Sequence, residues 1–122
     1  MRKSKALVVG AFLVSAWPLT AGERLTMRVS PGVAFAPATV RVQATVERDP
    51  ENRAIEIVAE SSEFYRSSQI PLEGAHAPRT TIVEFRSLPG GRYEVTAVLI
   101  GVRGRHTRVS QTVRVVDGGI AE

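Results

Sequence analysis

Strict alternation of apolar and polar residues dominates this sequence and restricts it to β-structure. From position 39 to 47 every even residue is apolar and every odd residue is polar. Successive side chains of a strand point to opposite faces of a sheet, so this pattern is typical of a strand with one buried face. Related patterns predict six further strands, within 25–29, 55–60, 63–70, 81–86, 93–100 and 108–115, with those at 25–29 and 63–70 at sheet edges.

Turn-forming residues separate these segments, with proline, glycine, asparagine or aspartate at 30–32, 49–52, 89–91 and 101–104. No segment shows a convincing helical period. Seven short strands in about 100 residues predict an all-β fold, an antiparallel seven-stranded immunoglobulin-like β-sandwich. Its predicted core is the set of inward apolar residues: Val40, Val42, Ala44, Ile55, Ile57, Val83, Phe85, Tyr93, Val95, Leu99, Val109 and Val113.

The turn between the last two strands can be predicted from parity. Both strands place their apolar residues at odd positions, and paired residues must lie on the same face of the sheet. Each odd residue of one strand must therefore pair with an odd residue of the other, which requires a loop with an odd number of residues. We therefore predict a three-residue loop at 102–104, with its glycine in the left-handed conformation. This register pairs Ala97 with Val109 and Tyr93 with Val113.

Residues 88–95 read LPGGRYEV and resemble the entry to the penultimate strand of fibronectin type III and related immunoglobulin-like domains. In those domains a leucine and a turn precede a tyrosine whose hydroxyl bonds back to nearby backbone, and Tyr93 is the matching residue. Residues 36–42, APATVRV, are similar to the second strand of many bacterial immunoglobulin-like modules. The resemblance implies a binding, spacing or surface module, since a fold alone does not fix a function.

The N-terminus has the three-part layout of a secretory signal peptide. A basic head of Arg2, Lys3 and Lys5 precedes an uncharged apolar run over 6–16, and Pro18 and small residues follow. A run this short does not span a membrane, which takes about 20 apolar residues. We predict a signal peptide at 1–22, cleaved after Ala21 or Gly22, and one domain at 23–122. The mature protein is then exported to the periplasm or the extracellular space, with no stable membrane insertion.

The charge of the chain argues against nucleic acid as a partner. The formal net charge is +4, but three of the sixteen basic residues belong to the signal peptide. The mature domain then has thirteen basic and twelve acidic residues. Its net charge is close to zero, which gives no general electrostatic reason to bind nucleic acid.

Catalytic and metal-binding patterns are missing from the sequence. The chain has no cysteine, and its two histidines, His76 and His106, lie on different connections without metal-ligand spacing. No nucleophile elbow, zinc-protease helix or phosphate loop is present. Four oxygen-bearing side chains cluster at 47–52, but their spacing matches no calcium loop. We predict that the protein is not an enzyme and has no cofactor or metal; a metal-binding protein or small hydrolase is the least favoured alternative.

Three surfaces are candidates for binding. The segment 61–79 holds adjacent aromatics, Phe64 and Tyr65, which point to opposite sides of an extended chain. One serves the core while the other stays exposed, so this edge can offer an anchor and free backbone groups for strand addition. Val58, Val98 and Ile100 form a second candidate surface, a small apolar patch on the outer face of two neighbouring strands.

A basic hairpin end is the third candidate. Its members are Arg103, Arg105, His106 and Arg108, and arginine forks suit phosphate, sulfate or carboxylate groups. The sequence therefore predicts a non-catalytic exported binding or structural module, a protein-interaction domain of the cell envelope. A module that binds a small anion or an anionic glycan is the alternative.

Overall fold

A computed structural model of the protein describes residues 24–117, apart from the side chains of residues 105 and 106. The predicted signal peptide lies outside these residues. The described part of the chain contains no helix long and apolar enough to cross a membrane. It forms eight strands: β1 (Leu25–Ser30), β2 (Val33–Phe35), β3 (Ala38–Val46), β4 (Asn52–Glu60), β5 (Tyr65–Pro71), β6 (Thr80–Leu88), β7 (Gly91–Gly101) and β8 (Gly104–Val116).

The strands form two sheets that pack as a sandwich. One sheet has the order β1-β3-β6, and the other has the order β2-β8-β7-β4-β5. The predicted pairing of the third and sixth expected strands is confirmed, because β4 lies beside β7 with Ile57 opposite Ala97. The all-β sandwich is therefore confirmed, with eight described strands instead of seven.

The additional strand is β2, a three-residue strand that pairs in parallel with β8. It lies between Pro31 and Pro37 and is too short for an alternating pattern to identify it. The prediction of a fully antiparallel sandwich is wrong at this edge, where Ala36 N–H donates to Val116 O over 2.8 Å and extends the parallel pairing.

The core follows the alternation read from the sequence. On β3 the even residues are buried, and on β7 the odd residues from Tyr93 to Leu99 are buried. Ten of the twelve predicted core residues are buried, while Val83 and Val109 are partly buried and pack against the core. Their strands lie near the margins of the sandwich, where the facing sheet covers them less fully.

The β7–β8 hairpin differs from its predicted turn. The register pairs Ala97 with Val109 and Tyr93 with Val113, as predicted, but Gly101 pairs with Gly104, so the loop has two residues. An even loop alone would reverse the faces of β8. A bulge at position 106 adds one residue to β8 and restores the register, since Leu99 pairs with Thr107 while Ile100 pairs with Arg105. Gly104 has a φ of +105°, which agrees with its predicted left-handed conformation.

Tyr93 forms the backbone contact that its sequence context predicts. Its ring is fully buried, and its hydroxyl donates to Pro89 O over 2.7 Å. This bond ties the start of β7 to the connection from β6 and is the geometry of a tyrosine corner. Burial raises the pKa of the Tyr93 hydroxyl above its ordinary value of 10.0, and a hydrogen bond with Ser61 and the charge of Arg66 oppose that shift.

Replacing Tyr93 with phenylalanine should lower the free energy of unfolding by about 1–2 kcal/mol, because the Pro89 carbonyl loses its donor while the ring remains. Urea denaturation monitored by circular dichroism measures the change. Tyr65→Phe is the matched control, since that ring is exposed, and it should leave stability unaltered. Equal stability of the two variants would contradict the structural role of the Tyr93 hydroxyl.

The raised pKa of Tyr93 also predicts a stability loss at alkaline pH. The folded state favours the neutral hydroxyl, so this contribution is complete below the unfolded pKa near 10 and is lost as pH rises through the folded pKa. The free energy of unfolding should fall above pH 10, and less steeply in Tyr93→Phe. Both lysines of the chain lie at positions 3 and 5, so none within 24–117 complicates the titration. Identical slopes in the two proteins would refute this assignment.

Candidate functional site at the β5 edge

The two adjacent aromatics of the 61–79 segment take opposite roles, as predicted. Phe64 is partly buried against the core, and its ring meets that of Tyr93 edge to face, with centroids 6.1 Å apart and an interplanar angle of 74°. Tyr65 begins β5 on the other side of the chain and is 60% exposed. Phe64 therefore attaches the start of β5 to the core while Tyr65 faces solvent.

Arg66 fixes the same end of β5 to the opposite sheet. Its guanidinium lies 5.1 Å from the centroid of the Phe64 ring, within the range of a cation–π contact. Its Nη1 donates to the backbone oxygen of Arg86 on β6 over 2.8 Å. This role of Arg66 was not predicted from the sequence. The available signal is its spacing of two residues from Phe64, which places both side chains on one face of an extended chain.

β5 ends the five-stranded sheet and, among the strands of residues 24–117, pairs only with β4. Leu72 N–H donates to Arg53 O, and Ser61 N–H donates to Phe64 O, each over 2.8 Å. Facing residue pairs of an antiparallel ladder alternate between hydrogen-bonded and non-hydrogen-bonded pairs. Because Phe64 and Leu72 both bond to the β4 side, the even residues from 64 to 72 direct their backbone groups to β4. The odd residues from 65 to 71 therefore direct theirs to the open edge.

Three backbone N–H groups are consequently available at this edge, those of Tyr65, Ser67 and Gln69. Pro71 also faces outward but has no N–H to donate. The side chains of the same odd residues lie on the outer face of the sheet, because Tyr65 is opposite Glu60 and Ser67 is opposite Val58. The edge thus combines unpaired donors and acceptors with an exposed aromatic ring, which is the arrangement that strand addition requires.

The predicted apolar patch lies on the outer face but is largely closed. Val58 and Ile100 are half-buried, and Val98 is only 6% exposed. Val98 lies on β7, the central strand of the five-stranded sheet, with Glu56 opposite it on β4 and Arg108 opposite it on β8. Long flanking side chains cover short ones in the middle of a sheet, so the expectation that Val98 forms an open contact surface is wrong.

The predicted basic cluster is partly described and is not uniformly basic. Arg103 lies in the β7–β8 turn, and Arg108 lies on the outer face of β8 opposite Val98; the side chains of Arg105 and His106 lie outside the described part. Asp49 and Glu51 line the same surface as Arg103. These neighbouring carboxylates weaken the attraction of this end for an anion.

The acidic connection between β3 and β4 acts as a structural turn. Asp49 Oδ1 accepts from Glu51 N–H over 2.8 Å, and the buried Asn52 side chain donates to Glu47 O over 3.1 Å. Arg24 lies 3.7 Å from Asp49 Oδ2. Among the side chains that the structure describes, which do not include that of His106, no group of three or more histidine, cysteine, aspartate or glutamate residues could hold a metal ion.

A second exposed apolar group lies at the opposite edge of the five-stranded sheet. Phe35 on β2 is 70% exposed, and Val33 beside it is similarly exposed. Neither residue was predicted as a binding residue, because β2 itself was not predicted from the sequence. The strand has three residues, so it offers fewer backbone groups than the seven residues of β5.

No protein-family model matches the chain, and no curated protein sequence matches it. Similar solved structures include the superoxide reductase (neelaredoxin) from Ignicoccus hospitalis, with 12% identity, a TM-score of 0.61, and coverage of 75% of this chain and 79% of that one. The sulfur carrier protein SoxY from Chlorobium limicola f thiosulfatophilum has 15% identity, a TM-score of 0.56, and coverage of 88% and 98%.

A family 76 glycoside hydrolase from a bovine Bacteroides thetaiotaomicron strain is also similar, with 20% identity and a TM-score of 0.53. The similarity covers 75% of this chain but 20% of the hydrolase chain. At these identities the likenesses establish the fold alone. They place the chain among immunoglobulin-like β-sandwiches.

The prediction that the chain is not an enzyme is overturned by these likenesses. The fold is shared with superoxide reductases, which are enzymes, as well as with a sulfur carrier. The immunoglobulin-like architecture therefore provides no reason to exclude catalysis, and a lack of familiar catalytic motifs in the sequence does not exclude it either.

Proposed function

We propose that this protein is an exported binding module that captures an extended segment of a partner protein at the β5 edge. The observation that carries the proposal is the open edge itself, in which Tyr65, Ser67 and Gln69 direct backbone groups to solvent beside an exposed tyrosine ring. A partner strand would satisfy those groups with main-chain hydrogen bonds, while Tyr65 supplies an anchor for a side chain.

The longest edge strand of the other sheet, β6, is less suited to strand addition. β6 borders the three-stranded sheet, but the outward carbonyl of Arg86 already accepts from Arg66. Glu84 and Arg86 pair on that strand over 3.1 Å, and charged residues are a common protection of edge strands. The central residues of β5, Ser67 to Gln69, carry no charge.

Export and the narrower family assignment belong to the same proposal. The basic head and apolar run at 1–22 support secretion, and a cell-envelope partner fits that destination. The Tyr93 hydroxyl bonded to Pro89 O supports a relationship to fibronectin type III domains, many of which present their surfaces to other proteins.

Photocrosslinking in the native cell tests the proposal. A photoreactive phenylalanine analogue at position 65 should yield a discrete adduct with a partner protein, identified by mass spectrometry. Adding Ser67→Pro should abolish the adduct, because proline removes an outward N–H and is tolerated where that N–H faces solvent. Ser67→Thr keeps the N–H and should retain the adduct.

A probe at Ile82, which is 47% exposed on β6, is the positional control and should not give the same adduct. Absence of any adduct at position 65, or an adduct that survives Ser67→Pro, would overturn the proposal. Circular dichroism of Ser67→Pro establishes that the variant is folded, since the bonds of β5 to β4 involve its even residues.

A further inference from the structure

The charge around β5 differs from that of the rest of the domain. Residues 54–73 hold four glutamates, Glu56, Glu60, Glu63 and Glu73, and a single additional charge, Arg66. The Arg66 guanidinium is engaged between the Phe64 ring and the Arg86 carbonyl, so it faces away from the outer surface. The β4–β5 register places Glu56 and Glu60 on the outer face of this ribbon and no basic side chain of residues 54–71 there, so that face is acidic although the predicted mature domain is nearly neutral.

Tyr65 and Glu60 lie side by side on that surface. They face each other in the β4–β5 register, and Glu60 in turn faces Glu94 on β7. Both carboxylates are exposed, so like charges stand in adjacent strands about 5 Å apart, which is unfavourable without a cation. Arg92 lines the same surface as Glu60 and Glu94 and opposes Arg114 on β8, but among the described residues it forms no ion pair with either carboxylate.

We infer that the segment added to β5 is basic and places a lysine or arginine side chain across the Tyr65 ring toward the Glu60 carboxylate. This inference rests on the proposed function, and it specifies the chemistry of the partner. A residue paired with Tyr65 across the new ladder has its side chain on the same outer face. The aliphatic stem of a lysine or arginine covers the Tyr65 ring, and its charged end reaches toward Glu60 on β4 and Glu94 on β7.

A second copy of this chain fits the edge poorly. Antiparallel pairing of β5 with itself would bring Glu63, before one strand, near Glu73, after the other. Neither end of the strand offers a basic residue on its outer side, since Arg66 is directed inward to β6. Charge complementarity therefore favours a basic peptide over self-association.

Selection from a phage-displayed library of random linear peptides tests the inference. The purified protein should enrich peptides with lysine or arginine at one fixed position of the aligned set. Synthetic copies of these peptides should lose about three- to tenfold in affinity for Glu60→Gln, and a similar amount for Tyr65→Leu, whereas Tyr65→Phe should bind as well as the wild type. Glu47→Gln removes the same charge beyond the end of β3 and should have no effect.

The Ser67→Pro variant distinguishes failure of the basic-partner inference from failure of the strand-addition proposal. Enriched peptides that require Ser67 N–H but show no basic preference, or are indifferent to Glu60→Gln, would refute the basic partner and leave strand addition intact. Peptides that bind equally to Ser67→Pro, or no enrichment at all, would refute both. Basic enrichment that is lost with both Ser67→Pro and Glu60→Gln supports both.

Discussion

The contact between Phe64 and Tyr93 fixes the edge strand on which the proposed site depends. Tyr93 is immobilised by burial and by its bond to Pro89 O, and the Phe64 ring packs edge to face against it. Arg66 then covers Phe64 and bonds to Arg86 on the other sheet. A free edge strand is prone to fraying, so these contacts allow β5 to stay extended and present its unpaired groups in a fixed geometry.

The alternation of side chains was sufficient to predict the sandwich and most of its core. It was also sufficient to predict that the Phe64 and Tyr65 side chains lie on opposite sides of the strand, since adjacent residues of a strand cannot share a face. Parity predicted the β7–β8 register but not the turn, because a two-residue loop with a bulge at 106 gives the same facing pairs as a three-residue loop. Local sequence rules cannot distinguish two solutions that leave the core unchanged.

Other features depend on long-range packing and could not be read from the sequence. β2 is stabilised by its parallel partner β8, and three residues between prolines carry no periodic signal. Val98 has the position of an exposed residue, but side chains on the neighbouring strands bury it. The exclusion of enzymes rested on the lack of familiar catalytic motifs, and it failed because the same fold occurs in a superoxide reductase.

Amide hydrogen exchange measured by nuclear magnetic resonance tests the central claim most directly, because it reports each backbone N–H of β5 separately. In the free protein, the amides of Arg66, Ser68 and Ile70 should exchange slowly, while those of Tyr65, Ser67 and Gln69 should exchange rapidly. Binding of a partner strand should then slow the second set. Uniform protection along β5 in the free protein, or the opposite alternation, would contradict an open edge at this strand.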